Sequence, residues 1–136
     1  MRRTLAPALL IFAVALAFRA PRLSDRPMHA DEAVLADKFG SLLEQGSYQY
    51  DPREYHGLLL AWLTLVPARV SGAQRYQELT EAALRAVPVV CGLLLVLAPL
   101  LLIGELGYWE AVAAAGLTAI SPAMVYYSRY YIPEML

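Results

Sequence analysis

The 136-residue chain holds a single cysteine, Cys91, and carries a net charge of only −1. One cysteine excludes an internal disulfide and leaves no cysteine pair for a metal site. A near-neutral balance lacks the basic face that nucleic-acid binding requires. No glycine-rich phosphate loop follows a strand, and no serine or cysteine sits in a nucleophile elbow, so soluble nucleotide-binding and hydrolase architectures have no support. Internal repeats and low-complexity linkers are missing as well. The longest apolar blocks contain no charge at all.

Those blocks dominate what is present. Hydrophobic residues make up 59% of the chain, above the 45–50% or so of ordinary soluble domains, and they come in runs rather than on amphipathic faces. The first run, residues 4–18, follows Arg2 and Arg3. It fits either a cleaved signal peptide, with small residues at Ala15 and Ala17, or a retained first helix whose usable length Arg19 extends by snorkelling. Residues 87–103 are uncharged and predict a transmembrane helix, with Arg85 one turn ahead, Pro88 in its first turn and Pro99 inside it. Gly104 to Gly107 form a tight connection. Residues 111–127 predict the next span, with Ala113, Ala114, Ala115 and Gly116 permitting close packing and Ser121-Pro122 bending it. Tyr126, Tyr127, Tyr130 and Tyr131 follow as an aromatic belt.

The expected fold is therefore an all-α integral membrane protein. Three transmembrane helices lie at about 4–20, 82–103 and 109–128, and amphipathic interfacial helices occupy the first outer loop, about 21–81. In that loop residues 31–45 form an amphipathic helix, since Leu35, Phe39, Leu42 and Leu43 share one face and Gly46 stops it. A turn-rich stretch, 47–54, contains Asp51-Pro52. A short apolar run, 58–66, ends at Pro67 and Arg69; it is too short to span, and suits a helix in the interface or under other helices. Charge does not fix the orientation, because Arg2 and Arg3 precede the first span while Arg19, Arg22 and Arg26 follow it. The chain ends just after an apolar block and a polar cluster, and it reads as the start of a longer protein.

Three polar groups are candidates for chemistry. His29, Asp31 and Glu32 open the amphipathic helix. Acids there serve as caps and suit the helix dipole, or they hold a carboxylate at an interface where desolvation raises its basicity toward that of a general base. Tyr48, Tyr50, Asp51, Tyr55 and His56 offer aromatic faces with polar tips for a sugar, or simply furnish an interfacial loop. Arg129 and Glu134 flank Pro133; the arginine could pair with a phosphate or snorkel, and the glutamate could begin a new helix. His29, Asp31, Glu32 and His56 match no helical metal motif, so no metal ligands are assigned, although a divalent cofactor stays open.

The order of these motifs carries a resemblance. A first span is followed by His29-Ala30-Asp31-Glu32 opening a helix, then by Tyr55-His56-Gly57 before a short apolar run. Arg85-Ala86-Val87-Pro88 enters a span, and Ser121-Pro122 with Ser128-Arg129 and Glu134 closes the third. This looks like the start of the GT-C glycosyltransferases. It is similar to the protein O-mannosyltransferases and lipid A aminoarabinose transferases, and most of all to an archaeal and bacterial subfamily associated with N-glycosylation. The resemblance covers nearly the whole chain but only the first spans of such enzymes. It implies a retained first helix, a multi-pass cell-membrane protein with residues 21–81 on the non-cytoplasmic side, and inverting transfer from a polyprenyl-phosphate sugar to a glycan, lipid or protein acceptor. By match, Asp31, Glu32 and Glu134 are the catalytic candidates, and His29, Tyr55, His56 and Arg129 the substrate-binding ones. Relatives often carry Asp where this chain has Glu134, and Pro where it has Leu58. This chain alone is expected to be inactive. The competing readings are a non-enzymatic membrane scaffold, an accessory of lipid-carrier transport, or a secreted domain behind a signal peptide.

Overall fold

A computed structural model describes residues 2–48, 50–54 and 57–136, with side chains from residue 5 onward except that of residue 54. Every regular element among them is helical: α1 (Arg2–Arg19), α2 (Ala30–Gln45), α3 (Leu59–Val70), α4 (Glu81–Leu101), α5 (Ile103–Leu106), α6 (Tyr108–Ile120) and α7 (Pro122–Tyr127), with 3-10 turns at Pro52–Glu54, Tyr76–Glu78 and Pro133–Met135. The chain divides into two compact units. The first comprises Met1–Pro21 and Val89–Arg129, the second Arg22–Pro88 and Tyr130–Leu136.

In the first unit α1 packs on α6 and α7. The seam on α6 is Ala111, Ala115 and Ala119, all buried at four-residue spacing, the ridge that lets two helices approach closely. It is not the consecutive run 113–116 expected from composition: Ala113 is exposed, and the space beside Gly116 is open. Several large apolar side chains of this unit point outward instead, among them Leu9, Leu10, Val90, Leu94, Leu117 and Ile120, whereas Val89, Leu93 and Val96 of α4 are buried.

The expected third span is split. Pro122 has no N–H to offer the carbonyl of Thr118, so the helix breaks at Ser121 into α6 and α7. Arg19 fills the gap. Its Nη2 donates to the Thr118 carbonyl at 3.1 Å and its Nη1 to that of Ala119 at 2.8 Å. Its Nε donates to Ser128 Oγ at 3.2 Å. Arg19 is fully buried; it does not snorkel, because a proline break supplies the acceptors that a guanidinium needs inside. Gly92 of α4 makes room, since a Cβ there would lie 2.2 Å from Ser128 Oγ.

The second unit has its core on one face of α2, where Leu35, Phe39 and Leu42 are buried as the spacing predicts, against Leu60, Ala61 and Ala68 of α3. Gly46 ends α2 in the left-handed region at φ 69°, its N–H bonded to the Leu42 carbonyl. Helix α3 runs through Pro67 to Val70 rather than ending there. Helix α4 starts earlier than the uncharged run. Thr80 caps it, its Oγ1 accepting the Ala83 N–H at 3.2 Å, so Arg85 falls inside the helix and Pro88 in its interior, not its first turn.

Among the described residues one helix, α4, is long and apolar enough by length and composition to cross a membrane; the apolar stretch Leu5–Arg19 and α3 are shorter.

Candidate functional site

The site expected around Asp31 lies wholly in the second unit. Helix α2 begins at Ala30 because His29, in extended backbone, accepts the Asp31 N–H on Nδ1 at 3.4 Å. Glu32 reaches back from the first turn to accept the His29 N–H at 3.0 Å. Both acids also face the positive end of the helix dipole.

Glu32 is the centre of a buried polar cluster. Arg85 binds it as a fork, Nε to Oε1 at 2.8 Å and Nη2 to Oε2 at 2.9 Å, with both side chains sealed from solvent. The Tyr131 N–H adds a further bond, to Oε1 at 2.7 Å. Arg26 Nη2 lies 3.8 Å from Oε2. Arg85 spends its other donors on the carbonyls of Leu23, Arg26 and Pro27. Burial alone would raise the Glu32 carboxyl; the hydrogen bonds from Arg85, His29 and Tyr131 and the Arg85 charge outweigh it, so the group titrates below its ordinary value of 4.5.

This cluster joins four stretches of chain: the connection 23–27, the start of α2, the first turns of α4 through Arg85, and residues 130–131. The Arg26 guanidinium lies 3.5 Å above the Tyr130 ring, and His29 meets that ring edge-on. Tyr131 is buried, and burial pushes its phenol upward against a hydrogen bond with Thr64. The expected aromatic belt thus divides. Tyr126 and Tyr127 are exposed in the first unit, whereas Tyr130 and Tyr131 belong to the second.

The remaining candidates are dispersed. The Asp31 carboxylate is 68% exposed, with His29 Nδ1 3.5 Å from its Oδ2, so these residues do not withdraw it from water as the general-base reading expected. Glu134 is exposed in the 3-10 turn that follows Tyr131. Arg129 belongs to the first unit and closes α1, donating to the carbonyls of Phe18 (2.9 Å), Arg19 (3.2 Å) and Pro21 (2.8 Å); those donors serve the fold rather than a phosphate. Asp51 accepts the Arg53 N–H at 2.8 Å in a local turn. With Tyr50 it lines a groove beside α2 at Asp37 and Ser41 that does not include Asp31. Tyr55 and His56 lie outside the described residues. Among the described residues no three His, Cys, Asp or Glu side chains gather as metal ligands, and both Glu32 oxygens already accept hydrogen bonds.

Sequence reasoning overlooked Arg26 and Arg85 as the partners of Glu32. A lone arginine at the mouth of an apolar run was the available signal, because such a charge needs a partner nearby. No protein-family model, curated protein or solved structure matches this chain.

Proposed function

We propose that the chain forms part of a membrane glycosyltransferase of GT-C type, moving a glycosyl group from a polyprenyl-phosphate sugar to the hydroxyl of a glycan, lipid or protein acceptor. In this reading α1, α4 and the broken pair α6–α7 cross the bilayer, and residues 21–81 lie on the non-cytoplasmic side. The outward apolar residues of the first unit support it, because water-facing helices would carry charge there.

The observation that carries the proposal is the Glu32 cluster. It ties the start of α2 to the backbone of Tyr131, and so assembles in one unit the segments bearing Asp31 and Glu134. Glu32 positions; Asp31 is the general base, and its exposed carboxylate loses water only when donor and acceptor bind over it. It takes the proton of the acceptor hydroxyl, whose oxygen attacks the anomeric carbon from the face opposite the leaving group. The carbon–oxygen bond to phosphate breaks, and polyprenyl phosphate leaves with the bonding electrons. The lipid carrier suits a site at the bilayer edge, where its isoprenoid stays in hydrocarbon while its head reaches water.

The test is Asp31→Asn in the full-length protein, in membranes supplied with a polyprenyl-phosphate hexose. General-base catalysis contributes roughly 10²–10⁴-fold, so transfer should fall by about that factor at normal expression. Unchanged transfer would instead favour a non-enzymatic scaffold or lipid-carrier accessory. That second reading gains from Glu32, Arg85 and Arg129, whose hydrogen bonds hold the fold.

A further inference from the structure

We propose that His29 governs the availability of Asp31 through its own protonation: the neutral ring leaves the carboxylate open to an acceptor hydroxyl, and the protonated ring occupies it. One nitrogen faces both partners. His29 Nδ1 accepts the Asp31 N–H at 3.4 Å and lies 3.5 Å from Asp31 Oδ2. A ring nitrogen that accepts from a backbone N–H carries no proton, so this is the arrangement of the neutral imidazole. In the imidazolium both nitrogens are donors. The cap bond is then lost, and Nδ1–H turns to the acceptor beside it, Asp31 Oδ2. The Asp31 side chain is exposed, so a small rotation brings that oxygen to hydrogen-bonding length.

The surroundings select Asp31 as the partner of the imidazolium. Glu32 is the other carboxylate at hand, but its Oε1 already accepts from Arg85 and Tyr131, and its Oε2 from Arg85 and the His29 N–H. The far side of the ring offers no anion: Tyr130 meets His29 edge-on at 6.4 Å, and the Arg26 guanidinium lies over Tyr130. A cation at the start of α2 also opposes the helix dipole, which a first-turn carboxylate offsets. The His29 N–H stays bonded to Glu32 in both forms, so the ring remains beside Asp31 when its charge changes. A carboxylate paired with an imidazolium is a weaker base and is closed to a hydroxyl. His29 acts through Asp31 and is therefore a positioning residue.

Asp31 enters here as the base of the proposed transfer, the reading on which this inference rests. The test follows transfer by the full-length protein, in membranes supplied with a polyprenyl-phosphate hexose, from pH 8 to pH 5. Glu32 stays ionised over that range, since it titrates below 4.5. Imidazoles titrate within it, so kcat/KM of the native protein should fall by about tenfold or more. In His29→Asn the amide oxygen can still accept the Asp31 N–H, but it takes up no proton. Transfer by this variant should become nearly independent of pH and should exceed the native rate at pH 5. His29→Ser, a second cap that does not titrate, should behave alike. A flat native profile overturns the proposal, and so does an acid loss that persists in both variants. Abolished transfer in both at an unchanged melting temperature would make the ring a substrate or catalytic group, and loss of folding in both would make it structural; either result overturns it. Asp31→Asn separates the two levels. Transfer that survives in Asp31→Asn, or is missing from the native protein at every pH, sinks the reaction assigned to Asp31 and this inference with it. An inactive Asp31→Asn beside a His29→Asn that keeps the acid loss sinks this inference alone.

Discussion

Glu32 and Asp31 are neighbours with opposite fates. One is sealed under Arg85 and bonded on both oxygens; the other is open to solvent. A buried pair contributes little compared with well-packed apolar residues, but removing one partner strands a charge at a cost of about 3–5 kcal/mol. Glu32→Ala should therefore lower the apparent melting temperature in detergent far more than Asp31→Asn does, with Arg85 left against the carbonyls of Leu23, Arg26 and Pro27. The pH dependence has a definite sign. Because folding depresses the Glu32 pKa, its contribution is complete above 4.5 and is lost as pH falls through the lower folded value. A thermal-shift series from pH 7 to pH 3 should show this acid loss, and it should be absent from Glu32→Gln. A wild-type loss that persists unchanged in Glu32→Gln would assign it to other carboxylates.

At the scale of elements, prolines and their remedies shape the first unit. Pro122 orphans the Thr118 carbonyl, and Arg19 answers from another helix. Pro122→Ala restores the missing N–H and should let α6 and α7 join into one helix. Arg19→Leu should be costly in the native background, because the freed carbonyls then lose donors worth about 1–3 kcal/mol when buried. In Pro122→Ala the same change should cost less. A double-mutant cycle reads the difference as coupling; additive effects would separate the arginine from the break. The helices themselves were legible wherever a local signal acted. Leu35, Phe39 and Leu42 marked the face of α2, Gly46 its end, and Ser121-Pro122 the bend. The span expected from about 82 matches the start of α4 at Glu81. Pro88 was misread as first-turn because the uncharged run begins only at Val87 while Thr80 caps the helix from outside it. Pro67 was misread as a terminus because packing of Leu60, Ala61, Thr64 and Ala68 carries α3 past it.

For the whole molecule the proposed reading turns on which surfaces meet lipid. The proposed topology sets the 21–81 loop outside the cytoplasm and the connection through Gly104 inside. In a Cys91→Ala background of the full-length protein, Ser47→Cys should react with a membrane-impermeant maleimide in intact cells. Gly104→Cys should react only after permeabilisation. The reverse pattern would invert the chain and place Asp31 on the cytoplasmic side; labelling of both without permeabilisation would remove the span between them.

Composition and periodicity alone determined that this chain is helical, that its apolar content exceeds that of ordinary soluble domains, and that residues 31–45 form an amphipathic helix stopped at Gly46. These follow from near-neighbour effects: hydrophobic spacing, caps, and the backbone limits of proline and glycine. The partners of the buried charges were decided only by tertiary structure. Arg19, Arg85 and Arg129 look alike in sequence, each a cation near an apolar run. They part company because one meets carbonyls freed by a distant proline, one meets a carboxylate 53 residues away, and one meets the end of α1. Long-range pairing of this kind leaves no periodic trace, since a guanidinium needs acceptors in space and not at any fixed distance along the chain.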